Sequence, residues 1–322
     1  MFFLTPCKKK EVVKYFITGG NGFIGSYLLH KLVNDKHAAE IHITLRKNSN
    51  TWRIASILDK INVHYIDLQD FDAVKRLLLT IQPNYLFNCA EVSKHTASFE
   101  KQSTFFLQSS QIALNLMEAC KLINLTAFVH TCSSLIYENT TTSITEQSVI
   151  NPICNKGLVK LTQRNIYKYY ARQFDIPVRL ARVFRAYGPM ESRERLILTL
   201  FDASKNQNII KLAAKDVVRD YIFINDLING LLKMAYSPLP HGEEINLASG
   251  KSYNSFTIAT IINNLVVQKI NFSEEIYPAV AADRINCKVN INKAKKLLNW
   301  QPMIPVEEGL AQTYKWWKNY YG

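Results

Sequence analysis

Thr18-Gly-Gly-Asn-Gly-Phe-Ile-Gly-Ser26 decides the fold. The stretch spaces Gly19, Gly22 and Gly25 three residues apart, with a β-branched apolar run before it and a helical pattern after it. Residues 12–18 read as a buried strand, and residues 22–33 as a helix carrying Ile24, Leu28, Leu29 and Leu32 on one face. Where a strand turns directly into a helix, free N–H groups and the positive helix end face the turn, and residues without a Cβ let a pyrophosphate reach that backbone. A glycine triplet alone says little. Here a strand precedes it, a helix follows it and the chain holds only 11 glycines. The reading is a dinucleotide site with Gly19, Gly22, Phe23, Ile24 and Gly25 around the phosphates.

Further strands are expected at 41–45, 63–66, 85–89, 128–132 and 178–183, with helical segments between them. This alternation predicts an α/β fold, a Rossmann-type doubly wound parallel sheet. The rhythm breaks after Pro189. Helices at 196–204, 226–235, 256–267 and 306–317, joined by short strands, suggest a smaller, mostly helical lobe. The expected division is a dinucleotide-binding domain over 1–185 and a substrate lobe over 186–322, with a crossing back to the sheet near 219–250.

The 322 residues carry 39 Lys and Arg against 26 Asp and Glu, a formal +13, and 48% are hydrophobic. That composition excludes a disordered or fibrous chain, and the length suits about two domains. The basic excess suits nucleic acid, a membrane surface or an anionic small molecule. No basic run interleaved with aromatics supports nucleic acid, and no stretch of about 18 apolar residues suggests a membrane span. The six cysteines lack a metal-binding spacing and read as reduced thiols, the seven histidines show no metal-like pairing, and residues 1–7 are too short for a signal core. A cytoplasmic protein without a metal is expected.

The second strand ends in Thr44-Leu45-Arg46-Lys47-Asn48-Ser49, with two cations where a carboxylate would bind an unphosphorylated ribose. Arg46 and Lys47 suit a 2′-phosphate, so NADP(H) is favoured over NAD(H).

Four later blocks extend the pattern: His130-Thr-Cys-Ser-Ser-Leu-Ile-Tyr137, Arg182-Val-Phe-Arg-Ala-Tyr-Gly-Pro189, Arg219-Asp-Tyr-Ile-Phe-Ile-Asn-Asp226 and Asn292-Lys-Ala-Lys-Lys-Leu-Leu-Asn-Trp-Gln-Pro302. With the glycine loop they resemble the extended short-chain dehydrogenase/reductases, the nucleotide-sugar epimerase/dehydratase/reductase family. The likeness runs from about Val12 to the C-terminus. It implies a nucleoside-diphosphate sugar as substrate and hydride transfer at its C4. It also implies that Asp67 and Leu68 meet the adenine, that Ala90 lies along the cofactor, that Ser133 is the active-site hydroxyl, and that Lys160 holds the ribose. Arg219 falls at the diphosphate position, Arg185 is a further candidate contact, and Arg284 is the candidate replacement for an arginine missing before Asp283. Helices near 104–122 and 155–173 correspond to those that form a homodimer in relatives.

One position departs from the pattern. In Pro152-Ile-Cys-Asn-Lys-Gly-Leu-Val-Lys160 the residue expected to be the acid/base tyrosine is Lys156. Lysines four apart share a helical face, and each favours a neutral neighbour, so Lys156 could serve as acid/base with a depressed pKa. The alternatives are a catalytically altered cofactor-binding protein, or recruitment of Tyr137 or Tyr187. Cys89, Cys132 and His95 are weaker candidates near the site, the two cysteines reading more readily as small buried apolar groups. Ser134-Leu135 replaces the Asp-Glu pair of the dehydratases, which disfavours 4,6-dehydration. A 4-keto reductase is the expected activity, with 4-epimerisation as the alternative.

Overall fold

The computed structural model describes residues 12–35, 39–91, 99–278, 283 and 287–322, excepting the side chains of 99 and 100. Its first half runs β1 (Val13–Thr18), α1 (Phe23–Asn34), β2 (Ala39–Leu45), β3 (Asn62–Tyr65), α2 (Phe71–Ile81), β4 (Tyr85–Asn88), α3 (Phe99–Cys120), β5 (Ala127–Ser133), α4 (Asn155–Phe174) and β6 (Val178–Val183). Then follow β7 (Arg185–Tyr187), α5 (Leu196–Asn206), β8 (Ile209–Leu212), β9 (Val218–Phe223), α6 (Ile224–Tyr236), β10 (Glu243–Leu247), β11 (Ser252–Asn254), α7 (Ser255–Leu265), β12 (Asn271–Ile276), α8 (Asn292–Leu298) and α9 (Val306–Tyr321).

Seven strands form one parallel sheet in the order β10-β6-β5-β4-β1-β2-β3. The sheet is covered on both faces, which is why its strands read as nearly continuous apolar runs. Side chains still alternate between two cores: Tyr15, Ile17 and Phe87 pack on the side of α1 and α6, and Phe16, Leu86 and Phe128 on the side of α2, α3 and α4. The strand order reverses between β1 and β4. Ligands of open α/β sheets bind at such a switch point, outside the carboxyl ends of the strands. The register puts Thr18 beside both Thr44 and Asn88, and Ser133 beside Val183, at that end.

In the second half α6 packs beside α1, and β10 adds to the sheet edge along β6. An ionic cluster joins these parts. Glu244 on β10 receives Nε and Nη2 of Arg164 on α4 at 2.5 and 2.8 Å, and also pairs with the buried Arg182 of β6. Although burial alone would raise its pKa, these arginines and Lys168 hold the Glu244 carboxyl below its ordinary range.

The second half contains more strand than the sequence predicts. Besides α5, α7 and α9 it has a three-stranded sheet, β11-β9-β7, and a two-stranded one, β12-β8. Strands as short as the three residues of β7 are too brief to show a period-two pattern.

Candidate functional site

A cleft of about 790 Å³ opens at the switch point, lined by the glycine turn, the ends of β2, β4 and β5, the start of α4, and Arg185, Arg195 and Arg219 from the second half. Gly19 has φ +68, and a Cβ there would stand 2.6 Å from the Ala90 nitrogen. A Cβ on Gly25 would lie 2.3 Å from the Gly19 oxygen. The turn closes with Gly22 N donating to Gly19 O at 3.0 Å, and no side chain caps α1. A backbone without side chains and an uncapped helix start on the cleft fit a pyrophosphate. Phe23 and Ile24 line the same wall, as do Asp67, Leu68 and Ala90. Asp67 is oriented by Gln69 N, which donates to its Oδ1 at 2.9 Å, and Ala90 N donates to Thr18 Oγ1 at 3.3 Å.

Beyond β2, Arg46 lines the cleft, whereas Lys47 is exposed and stands outside its lining. Arg53, not singled out from the sequence, does line it. Its Nε donates to Met190 O at 2.9 Å and its guanidinium stacks 4.6 Å from the centre of the Trp52 ring.

At the inner end, Lys160 is buried and its Nζ donates to Thr131 O at 3.1 Å. Ser133 ends β5 and accepts from Leu135 N at 3.2 Å, starting a short 3-10 turn. The first turn of α4 lies against that turn because residue 157 is glycine: a Cβ there would meet Leu135 O at 2.3 Å. This close approach brings Lys156 into the lining of the cleft that Ser133 and Lys160 also border. Burial, followed by the positive charges of Lys160 and Arg195, lowers the Lys156 pKa. The opposing influence is Glu91, whose Oε1 lies 3.1 Å from Lys156 Nζ. Glu91 was not singled out from the sequence; its only signal was an acid two residues after Cys89, at the end of a strand that reaches the cleft.

Beneath these groups Thr18 Oγ1 donates to Asn88 Oδ1 at 2.6 Å and Asn88 Nδ2 to the Tyr167 hydroxyl at 2.7 Å, tying β1, β4 and α4 together. His130, fully buried, has its pKa held well below the ordinary value by burial and by Lys160.

Several expectations are corrected. Tyr137 is fully buried outside the cleft, its hydroxyl donating to Asn246 Oδ1 at 2.6 Å and accepting from Arg182 Nη1 at 2.5 Å. Tyr187 is likewise buried, donating to Val306 O at 3.3 Å. Neither lines the cleft. The two cysteines keep to the ordinary reading of small buried apolar groups: burial pushes the Cys89 thiol up to about 12 and raises that of Cys132. His95 and Arg284 lie outside the described residues.

The part of the cleft lined from the second half is cationic. Arg219 on β9 pairs with Asp283 and lines the cleft beside Arg185 on β7. Desolvation and then Arg195 lower the pKa of Arg185. Arg195, at the start of α5, was missed because nothing in Glu191-Ser-Arg-Glu-Arg195 distinguishes one arginine from the other. Glu191, 4% exposed, stands 3.8 Å from Arg195, yet desolvation outweighs the nearby arginines and raises its carboxyl to about 7. Asp220 shows the same shift, to about 7, despite accepting Ser249 N and Gly250 N at 2.6 and 2.7 Å.

The model of the NAD dependent epimerase/dehydratase family matches residues 15–248. The chain belongs to that family. Among family members, it is 26% identical to a UDP-glucuronate 4-epimerase of Thermodesulfobacterium geofontis, over 94% of this chain and 96% of that one. It is 24% identical to a Bacillus subtilis protein described as an uncharacterized UDP-glucose epimerase, over 96% and 99%. In fold it matches an epimerase from Methanothermobacter thermautotrophicus at 25% identity and TM-score 0.86, covering 97% and 94% of the two chains. A Bacillus cereus UDP-glucuronic acid 4-epimerase, solved with UDP-glucuronic acid and NAD, matches at 21% identity and TM-score 0.85, covering 95% and 99%. The family and the fold agree with the resemblance drawn from the five sequence blocks.

Proposed function

We propose that the protein is an NADP(H)-dependent nucleotide-sugar oxidoreductase that acts at C4 of a nucleoside-diphosphate hexose as a 4-keto reductase. The observation that carries this reading is Lys156: it lines the same cleft as Ser133 and stands one turn before Lys160 on α4, at the position where the family has its acid/base. Relatives that act on UDP-sugars support the substrate class.

In this reading the Gly19–Gly25 turn and the start of α1 hold the pyrophosphate, Asp67 and Leu68 the adenosine, Ala90 the central part, and Lys160 the nicotinamide ribose. Arg46 meets the 2′-phosphate with Lys47 at its rim. The absence of an acid in this loop favours NADP(H), although relatives have been solved with NAD. Bound there, the cofactor supplies the hydride. Ser133 donates a hydrogen bond to the C4 oxygen and Lys156 exchanges the proton with it. Arg219 and Arg185, with Arg284, meet the sugar diphosphate; forked guanidinium groups suit phosphate oxygens. Leu135 offers no acid for a leaving hydroxyl, so the same groups support no 4,6-dehydration. Residues 1–185 and 186–322 would then be cofactor and substrate parts of a cytoplasmic homodimer.

The relatives described as 4-epimerases favour a second reading, in which a tightly held cofactor is recycled. Incubation with NADPH and a panel of nucleotide-linked 4-keto sugars separates the two. Stoichiometric NADPH oxidation is the expected result; interconversion of C4 epimers without net oxidation would establish the second reading, and no oxidation with any ketone would sink the first.

A further inference from the structure

We infer that Glu91 holds Lys156 as an ammonium, so that the site gives a proton to a sugar ketone and does not withdraw one from a sugar alcohol. The inference rests on the reading of Lys156 given above and adds its direction. Glu91 follows β4 and faces the start of α4 across the cleft, with Oε1 and Nζ 3.1 Å apart and the two side chains 31% and 30% exposed, so the pair borders the space where the sugar would lie. Among the described residues, the charged groups that bear on Lys156 are Glu91, Lys160 one turn along α4, and Arg195 ahead of α5. Lys160 is engaged with Thr131 O. Two cations and a desolvating wall by themselves favour the neutral, proton-accepting amine. A carboxylate within about 4 Å favours the charged form instead.

Replacing a phenol by an amine inverts the charges of the acid and base forms. A phenol beside lysines is drawn toward its anion, which is a base. An amine beside a carboxylate is drawn toward its cation, which is an acid. Glu91 therefore acts as a positioning residue for the proton on Lys156. With a reduced nicotinamide bound, the balance would be one hydride lost by the nicotinamide and gained as a C–H bond at the ketone carbon, and one proton for the C4 oxygen: an N–H bond of Lys156 breaks, an O–H bond forms, and the amine is reprotonated from solvent. A substrate that arrives already oxidised must be supplied by a separate dehydrogenation or dehydration of a nucleotide sugar.

The test compares wild type with Glu91→Gln in two ways. Trace acetylation across pH, quantified by mass spectrometry, gives the labelling midpoint of Lys156 with the exposed Lys315 as reference. The midpoint is expected to move to lower pH in the variant, and an unmoved midpoint overturns the role of Glu91 whether or not turnover is detected. NADPH oxidation with a 4-keto sugar is expected to lose its activity at a lower pH in the variant. Above the wild-type limb the variant should be slower by about tenfold, while the two rates converge on the acid side. An equal loss at every pH would mark a merely structural residue and overturn the inference. Faster NADP⁺ reduction by sugar alcohols than ketone reduction in wild type overturns the direction. A wild type inert both ways overturns the direction along with the reading above, and the labelling midpoint alone then judges the Glu91 pair.

Discussion

At the scale of single residues, Lys156 tests the chemistry. Positioned proton transfer contributes roughly 10² to 10⁴-fold, so Lys156→Met should lose about 10²-fold or more in single-turnover ketone reduction, whereas Lys156→Tyr should keep part of it. A Met variant as fast as wild type would remove Lys156 from the reaction. Arg46→Glu should raise the KM for NADPH by about tenfold and spare that for NADH, because a carboxylate repels a 2′-phosphate and accepts a ribose hydroxyl. Glu191 makes a pH prediction. Its carboxyl titrates near 4.5 in an unfolded chain and near about 7 in the fold, so between those values the native state holds the extra proton. Stability that the proton contributes is present at acid pH and lost as pH rises through that window. Glu191→Gln should therefore raise Tm relative to wild type at pH 8 and change it little at pH 4, as scanning calorimetry would show. Lys156 and Arg219 were legible in the sequence because each stands in a recognisable block. Glu91 and Arg195 were not, since their importance comes from what the fold sets opposite them, and long-range electrostatic pairing leaves no local pattern.

At the scale of elements, the strand-turn-helix unit of β1 and α1 was readable within a residue or two. Glycine spacing and apolar periodicity are local consequences of the backbone geometry that they produce. Gly19→Ala should be poorly tolerated: its φ is left-handed and its Cβ would meet the Ala90 backbone. A cost of about 1–3 kcal/mol in urea unfolding is expected, with loss of dinucleotide binding by titration calorimetry. The β6–β10 edge gives a second case. Glu244→Gln leaves Arg182, 1% exposed at its side chain, without its carboxylate. Breaking a buried pair from one side costs about 3–5 kcal/mol, measurable in the same unfolding experiment. The short strands β7, β8 and β11 were expected only as unplaced connections, because their three or four residues lie in small sheets outside the βαβ rhythm that marked equally short strands of the first half.

For the whole molecule, α3 and α4 pack side by side and leave Leu107, Leu114, Leu158 and Tyr169 exposed, Leu107 at 66%. Scattered apolar side chains are ordinary on a surface, but four on adjoining helices fit the expected homodimer. Light scattering should find a dimer in wild type and a monomer in Leu114→Glu; a wild-type monomer would end that expectation. The basic excess also gains an address at this scale, since Arg46, Arg53, Lys156, Lys160, Arg185, Arg195 and Arg219 all border one cleft.

The return of β10 to β6 has a consequence for how the protein is made. Val178–Val183 is translated well before Glu243–Leu247, so during synthesis the emerging sheet ends in a strand whose outer N–H and C=O groups have no ladder partner. Arg182 likewise waits for the carboxylate of Glu244. A chain truncated after residue 185 would carry both defects at once and offer a template for adding strands from other chains. Only when residue 247 has left the ribosome can the sheet close its last row of hydrogen bonds.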